Sequence, residues 1–120
     1  MSIHEILHER LAAAYGSRIA GEIEPKWDAL HFRLENGAAV ELRFASPEEY
    51  SLQWSWEGSM LRIDTAPVAH GVATSPHHLH AADGSVRADP LTVPGREPWD
   101  NVRQVVDAIL QDPLVAAHSA

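Results

Sequence analysis

The chain contains no cysteine. Disulfides and thiolate metal sites are excluded, so any metal must be held by imidazole and carboxylate groups. Lysine is nearly absent: Lys26 stands alone, and the other eight of the nine basic residues are arginine. Arginine suits bidentate contacts to phosphate or carboxylate, although codon usage in a GC-rich genome gives the same bias. No apolar run is long enough to span a bilayer. There is no glycine-rich phosphate loop and no serine in a nucleophile elbow, so P-loop and Ser-His-Asp hydrolase chemistry lack support. The segment Met1-Ser2-Ile3-His4-Glu5 has neither the basic nor the apolar part of a signal peptide. The expectation is a cytoplasmic protein with no membrane contact.

Positive charge is scarce overall, with nine basic against seventeen acidic residues and a formal net charge of −8. That argues against broad nonspecific nucleic-acid binding, which needs a basic surface to displace counterions. A compact nucleic-acid site is still open, because the local field outweighs the sum. The length of 120 residues predicts a single domain, 1–120, with one hydrophobic core.

Periodicity divides the chain. Ser2 and Glu5 have the spacing of a capping box, and Ile3, Ile6, Leu7 and Leu11 form an apolar stripe, predicting a helix over 1–15 that stops at Gly16. His4 and His8 stand four apart on it. That spacing can hold a metal, and the pattern assigns both to the solvated side. Over 18–65 the period changes to two. Leu30, Phe32 and Leu34, then Val40, Leu42 and Phe44, then Tyr50, Leu52, Trp54 and Trp56, then Leu61 and Ile63 alternate with polar residues. Asn36-Gly37 predicts a type I′ turn, and Glu57-Gly58 turns the chain again. Residues 66–97 read as a histidine-rich loop, within which Asp83-Gly84 allows a short hairpin of 77–81 with 85–88. A second helix is predicted over 98–111, with Pro98 in its first turn and Val102, Val105, Val106, Ile109 and Leu110 on its apolar face. Residues 113–120 form a frayed tail. The fold class is α+β: an antiparallel β-meander of about five strands with N- and C-terminal helices packed on one face.

What the chain has in abundance is histidine. Half of its eight histidines, His70, His77, His78 and His80, fall between positions 70 and 80. Imidazole titrates near neutrality, binds metals and shuttles protons. In an extended hairpin arm His78 and His80 share one face while His77 and Leu79 share the other. Alternation also places His31, Arg33, Arg43, Gln53, Arg62 and Asp64 on the sheet face opposite the core. Four readings fit this group. A divalent transition metal could bind His78, His80, His70 and Asp64. Metal-free acid–base catalysis could use a histidine pair with arginine neutralising developing charge, which suits RNA cleavage by the 2′-hydroxyl. The group could be a pH-sensitive contact surface, or the histidines could simply bond loop carbonyls. His70, Arg43 and Arg33 are candidate substrate contacts, against the alternative of a solvated face with cross-strand pairs such as Glu41 with Arg33.

Two blocks carry a family resemblance. Arg62-Ile63-Asp64-Thr65-Ala66-Pro67 is similar to the Arg-aromatic-Asp-Asn-Ala-Pro block of TumE toxins, and Pro76-His77-His78-Leu79-His80 is similar to their Pro-His-His-x-His block. Ile63 replaces the aromatic, Thr65 the asparagine, and Val68 stands where the family has a further histidine. The layout agrees over roughly residues 28 to 110. The resemblance implies a small toxin neutralised by a helix-turn-helix antitoxin encoded beside it, and acting on RNA or translation. Arg62, Asp64, His77, His78 and His80 match the family motif and are the candidate catalytic residues of a ribonuclease. Arg62 would contact phosphate, a histidine would move the proton, and Asp64 would orient an imidazole. No cofactor is required in that scheme. The other outcome is a non-catalytic metal- or protein-binding module built on the same loop. A sheet with polar edge strands can also pair with a second copy as a homodimer.

Overall fold

The computed structural model describes residues 1–66 and 77–116. Its order is α1 (Ile3–Tyr15), a 3-10 turn (Gly16–Arg18), β1 (Ile19–Pro25), β2 (Leu30–Leu34), β3 (Ala39–Ser46), β4 (Glu49–Trp56), β5 (Ser59–Asp64), β6 (His78–His80), β7 (Val86–Ala88) and α2 (Pro98–Gln111). The strands form one seven-stranded antiparallel open sheet in sequential order. The fold is α+β as expected, with two strands more than the meander of about five. Both lie in the segment expected to be loop over 66–97. Three-residue strands are too short to show a period against Gly- and Pro-rich surroundings. Their pairing follows the permitted hairpin, with His78 opposite Ala88 and His80 opposite Val86.

Alternation sorts the sheet as expected. Leu30, Phe32, Leu34, Val40, Leu42, Phe44, Tyr50, Leu52, Trp54, Leu61, Ile63 and Leu79 are buried with Leu7, Leu11 and Tyr15 of α1 and Val102, Val105, Val106 and Ile109 of α2. Each fully buried aliphatic side chain contributes about 1.5–3 kcal/mol. Helix α1 begins with the capping box, Ser2 Oγ accepting from Glu5 N–H and Glu5 Oε1 from Ser2 N–H. Ile6, expected in its apolar stripe, is exposed. The buried row runs Leu7, Leu11, Tyr15 at steps of four, and Ile6 falls about 100° to one side of it.

The turns correct one expectation. At Asn36-Gly37 only the glycine has positive φ, +93°, whereas type I′ needs positive φ at both central residues. Gly37 N–H bonds Leu34 C=O at 2.9 Å and Leu34 N–H bonds Ala38 C=O at 2.8 Å, the pattern of a type I turn closed by a glycine bulge. Type I′ dihedrals fall instead at Glu57 and Gly58, with φ of +46° and +83°.

Side-chain bonds fasten α2 and the residues after it to the sheet. Trp54 Nε1–H donates to Pro113 C=O at 2.7 Å, and Asn36 Nδ2–H to Ile109 C=O at 3.0 Å. Val115 is fully buried. The tail expected over 113–120 is thus packed through its first residues, because an indole in the core needs an acceptor. Residues 117–120, with His118, lie outside the described residues. Asn101, wholly buried, bonds both the N–H and the C=O of Val93, each at 3.0 Å.

His4 is not on the solvated side. Its Nε2 accepts Phe44 N–H at 3.2 Å. Phe44 lies beyond the last β2–β3 pair, Leu30 with Leu42, so the helix supplies the acceptor that a strand would have given. Burial holds the His4 imidazole below its ordinary pKa of 6.5, Asp28 opposing and Arg43 reinforcing the shift.

Two predictions follow from this packing. Asn101→Ala leaves Val93 without its partners and should lower unfolding free energy by about 2 kcal/mol in urea melts. For His4, a lowered native pKa means the unfolded chain binds more protons below pH 6.5, so stability is complete above that value and falls as pH drops. Urea melts between pH 7 and 5 should show that loss, and His4→Gln, which keeps an acceptor but does not titrate, should make it smaller.

Candidate functional site

Residues Arg62 and Asp64 alternate along β5 with the buried Leu61 and Ile63, so both face away from the helices. Strand β6 pairs beside them with Arg62 opposite His80, Ile63 opposite Leu79 and Asp64 opposite His78. Leu79 enters the core, fully buried. His78 and His80 are therefore turned to the face that carries Arg62 and Asp64.

The four side chains converge. Arg62 Nε donates to Asp64 Oδ2 at 2.6 Å, and its Nη2 lies 3.1 Å from His80 Nε2. His78 Nε2 lies 3.1 Å from Asp64 Oδ1 and 2.9 Å from His80 Nε2. His80 Nε2 is 3.5 Å from Asp64 Oδ2. The backbone N–H of Ala66 donates to Asp64 Oδ1 at 3.1 Å. Asp64 and His78 are buried, while the side chain of His80 is 32% exposed. A buried carboxylate is tolerated only where donors surround it, and here a guanidinium, an amide and an imidazole do so.

Proton accounting constrains the tautomers. An arginine N–H can only donate, so His80 Nε2 accepts from Arg62 and its ring proton sits on Nδ1. The proton between the imidazoles then belongs to His78 Nε2, which Asp64 Oδ1 shares. Burial holds the His80 pKa below its ordinary value, Arg62 and His78 add to the lowering, and Asp64 opposes it. His80 is thus held toward its neutral form at the edge of a charged pair. A shallow cleft adjoins the cluster, with Glu48, Ser51, Arg62 and Asp64 in its wall.

His77 is not brought to this cluster. Its Nδ1 lies 2.8 Å from Asp89 Oδ2. Asp89 also accepts the N–H of Leu91 at 2.8 Å, that of Thr92 at 3.1 Å, and the Thr92 hydroxyl. Tyr50 Oη bonds Thr92 Oγ1 at 2.6 Å, and burial pushes the Tyr50 phenol up to about 12. This network ties β6 and the segment after β7 to β4. No sequence signal pointed to Asp89, twelve residues from His77.

The other candidates are spread over the same sheet face. Register places His31, Glu41, Gln53, Arg62 and His80 in one row across it, and Arg43, Ser51, Asp64 and His78 in the next. Arg43 is two strands from Asp64, about 10 Å, and bonds Glu41 and Asp28. Arg33 sits opposite Ala39 and donates to Gly37 C=O. The cross-strand partner expected for Glu41 was Arg33. It is His31, the residue directly opposite Glu41 in the β2–β3 register, with Nε2 2.8 Å from Glu41 Oε2. His70 lies outside the described residues.

Among the described residues, no helix is long and apolar enough to cross a membrane. No curated protein and no solved structure matches the chain. The family model described as Toxin TumE matches residues 4–117 of the 120, a span that includes all of α1 but its first residue, the whole sheet, α2 and the Arg62–Asp64–His78–His80 cluster. The chain belongs to the TumE toxin family.

Proposed function

We propose that this toxin acts on RNA by breaking a phosphodiester bond at the Arg62–Asp64–His78–His80 cluster. The observation that carries the reading is the convergence of a guanidinium, a carboxylate and two imidazoles on a sheet face that neither helix covers. Phosphodiester cleavage needs a cation beside the phosphate oxygens and a group that accepts a proton from the nucleophile. Arg62 is the cation, fixed by its Nε bond to Asp64. The proton acceptor comes from the Asp64–His78–His80 triad, of which His80 is the member open to solvent, and its Nε2 lone pair is released when a phosphate draws the Arg62 Nη2 donor to itself. In RNA the 2′-oxygen attacks the adjacent phosphorus while the bond from phosphorus to the 5′-oxygen breaks. The proton lost by the 2′-hydroxyl balances the one gained by the departing 5′-oxygen.

The net charge of −8 suits a compact site better than a long basic track. His77 serves this site indirectly, by holding β6 through Asp89. The partner that silences the toxin is, on this reading, a helix-turn-helix antitoxin encoded next to it.

Purified protein should cleave a single-stranded RNA and leave DNA of the same sequence intact, since DNA lacks the nucleophile. Arg62→Ala and His80→Ala should each reduce cleavage about 10²-fold or more. Cleavage of both polymers overturns the 2′-hydroxyl mechanism. Equal cleavage of RNA by wild type and both variants overturns the site. In bacteria, induced wild type should arrest growth, the two variants should not, and co-expression of the neighbouring helix-turn-helix protein should restore growth. Arrest that persists under co-expression overturns the partner assignment.

A further inference from the structure

We propose that Asp64, His78 and His80 form a binding site for one divalent transition-metal ion, with Arg62 and the Ala66 amide as outer partners that hold the carboxylate. Binding of the ion stands on geometry alone, and its use on RNA rests on the phosphodiester reading.

The first argument is spacing. The two Nε2 atoms lie 2.9 Å apart, and each is 3.1 or 3.5 Å from an Asp64 oxygen. Tetrahedral ligands at about 2.0–2.1 Å from a zinc-type ion stand about 3.3 Å from one another. A donor atom from each of the three side chains lies within 4.8 Å of the others. An acid and a base that flank a phosphate need more room. Two hydrogen bonds and the attacking and leaving oxygens put their nitrogens about 6 Å or more apart. Imidazole nitrogens in mutual contact leave no space for a phosphate between them, but an ion about 2.05 Å from both nitrogens fits about 1.4 Å to the side of the line joining them, and it replaces the shared proton.

The second argument is the ligand set. Two imidazoles and one carboxylate suit Zn, Fe, Mn or Co, whereas Mg and Ca favour oxygen alone. Three protein ligands leave a coordination position open, the pattern of reactive rather than structural sites. His80, the exposed member, puts that opening toward solvent.

The third argument is the support around the ligands. Metal-binding carboxylates are fixed by outer hydrogen bonds. Asp64 has one on each oxygen, from Ala66 N–H at 3.1 Å and Arg62 Nε at 2.6 Å. Strand pairing fixes the rest, since His78 stands opposite Asp64 and His80 opposite Arg62. An ion displaces the proton between the imidazoles and the Arg62 Nη2 contact, and keeps the Arg62 Nε bond. A bound divalent ion there would polarise a phosphoryl oxygen beside Arg62, and because both imidazoles would then be ligands, the 2′-hydroxyl proton would pass to solvent at the open coordination position rather than to His80.

The test uses full-length protein purified without a tag, stripped with a chelator and titrated with Zn²⁺, with metal content read by elemental analysis and Co²⁺ substitution read by its visible spectrum. One ion per chain is expected, with a rise in melting temperature on binding. His80→Gln and Asp64→Asn should each weaken Zn²⁺ binding at least tenfold, while His8→Gln on α1 should not. His80→Gln changes a partly exposed side chain, and a thermal melt of the metal-free variant verifies its folding. Absence of stoichiometric binding, or binding unchanged by both site variants, overturns the site. One ion per chain without RNA cleavage upholds the metal site and removes the RNA reading. RNA cleavage by protein that binds no ion does the reverse.

Discussion

The register between β5 and β6 is the constraint on which the site depends. These strands meet across only three residue pairs, and the central one, Ile63 with Leu79, is wholly buried on both sides. A slip of one residue would turn Leu79 outward and drive His78 and His80 into the apolar core. Burial of Leu79 therefore aims the two histidines, and the same pairing sets them beside Asp64 and Arg62. The chemistry of the cluster is a consequence of apolar packing on the opposite face of the same strand.

That strand end also divides the histidines by role. His78 and His80 meet Asp64 on the uncovered face, and His77 meets Asp89 on the other side. Each carboxylate is buried and each is saturated with donors, as burial of charge requires. The Asp89 network, through Thr92 to Tyr50, braces the short hairpin from the side of the helices. A two-stranded extension made of such short elements needs bracing, because few ladder bonds hold it. Helix α2 adds to this through Asn101, which holds Val93 just beyond the network.

Much of the fold was legible in the sequence. The capping box, the four apolar alternations over Leu30–Ile63 and the α2 stripe each repeat often enough for one face to be read off. Less legible were features set by one or two residues. Asn36-Gly37 is compatible with two turn types, and tertiary docking of Asn36 on Ile109 accompanies the bulged one. His4 looked solvated because helical period says nothing of a strand end that lacks a partner. The tail after Pro113 carried no periodic signal, yet Trp54 needs its carbonyl.

For the site, spacing alone determined that Arg62 shares a face with Asp64 and that His78 shares a face with His80, since alternation in an extended strand is a local property of the backbone. The family motif was likewise written in contiguous residues. Only the tertiary structure decided which of these side chains touch. Contacts between β5 and β6 depend on register, and register is set by burial summed over both strands, not by either block alone. For the same reason the fold separated His77 from its neighbours, left Arg33 and Arg43 paired elsewhere, and brought two imidazole nitrogens within 2.9 Å of each other beside a carboxylate.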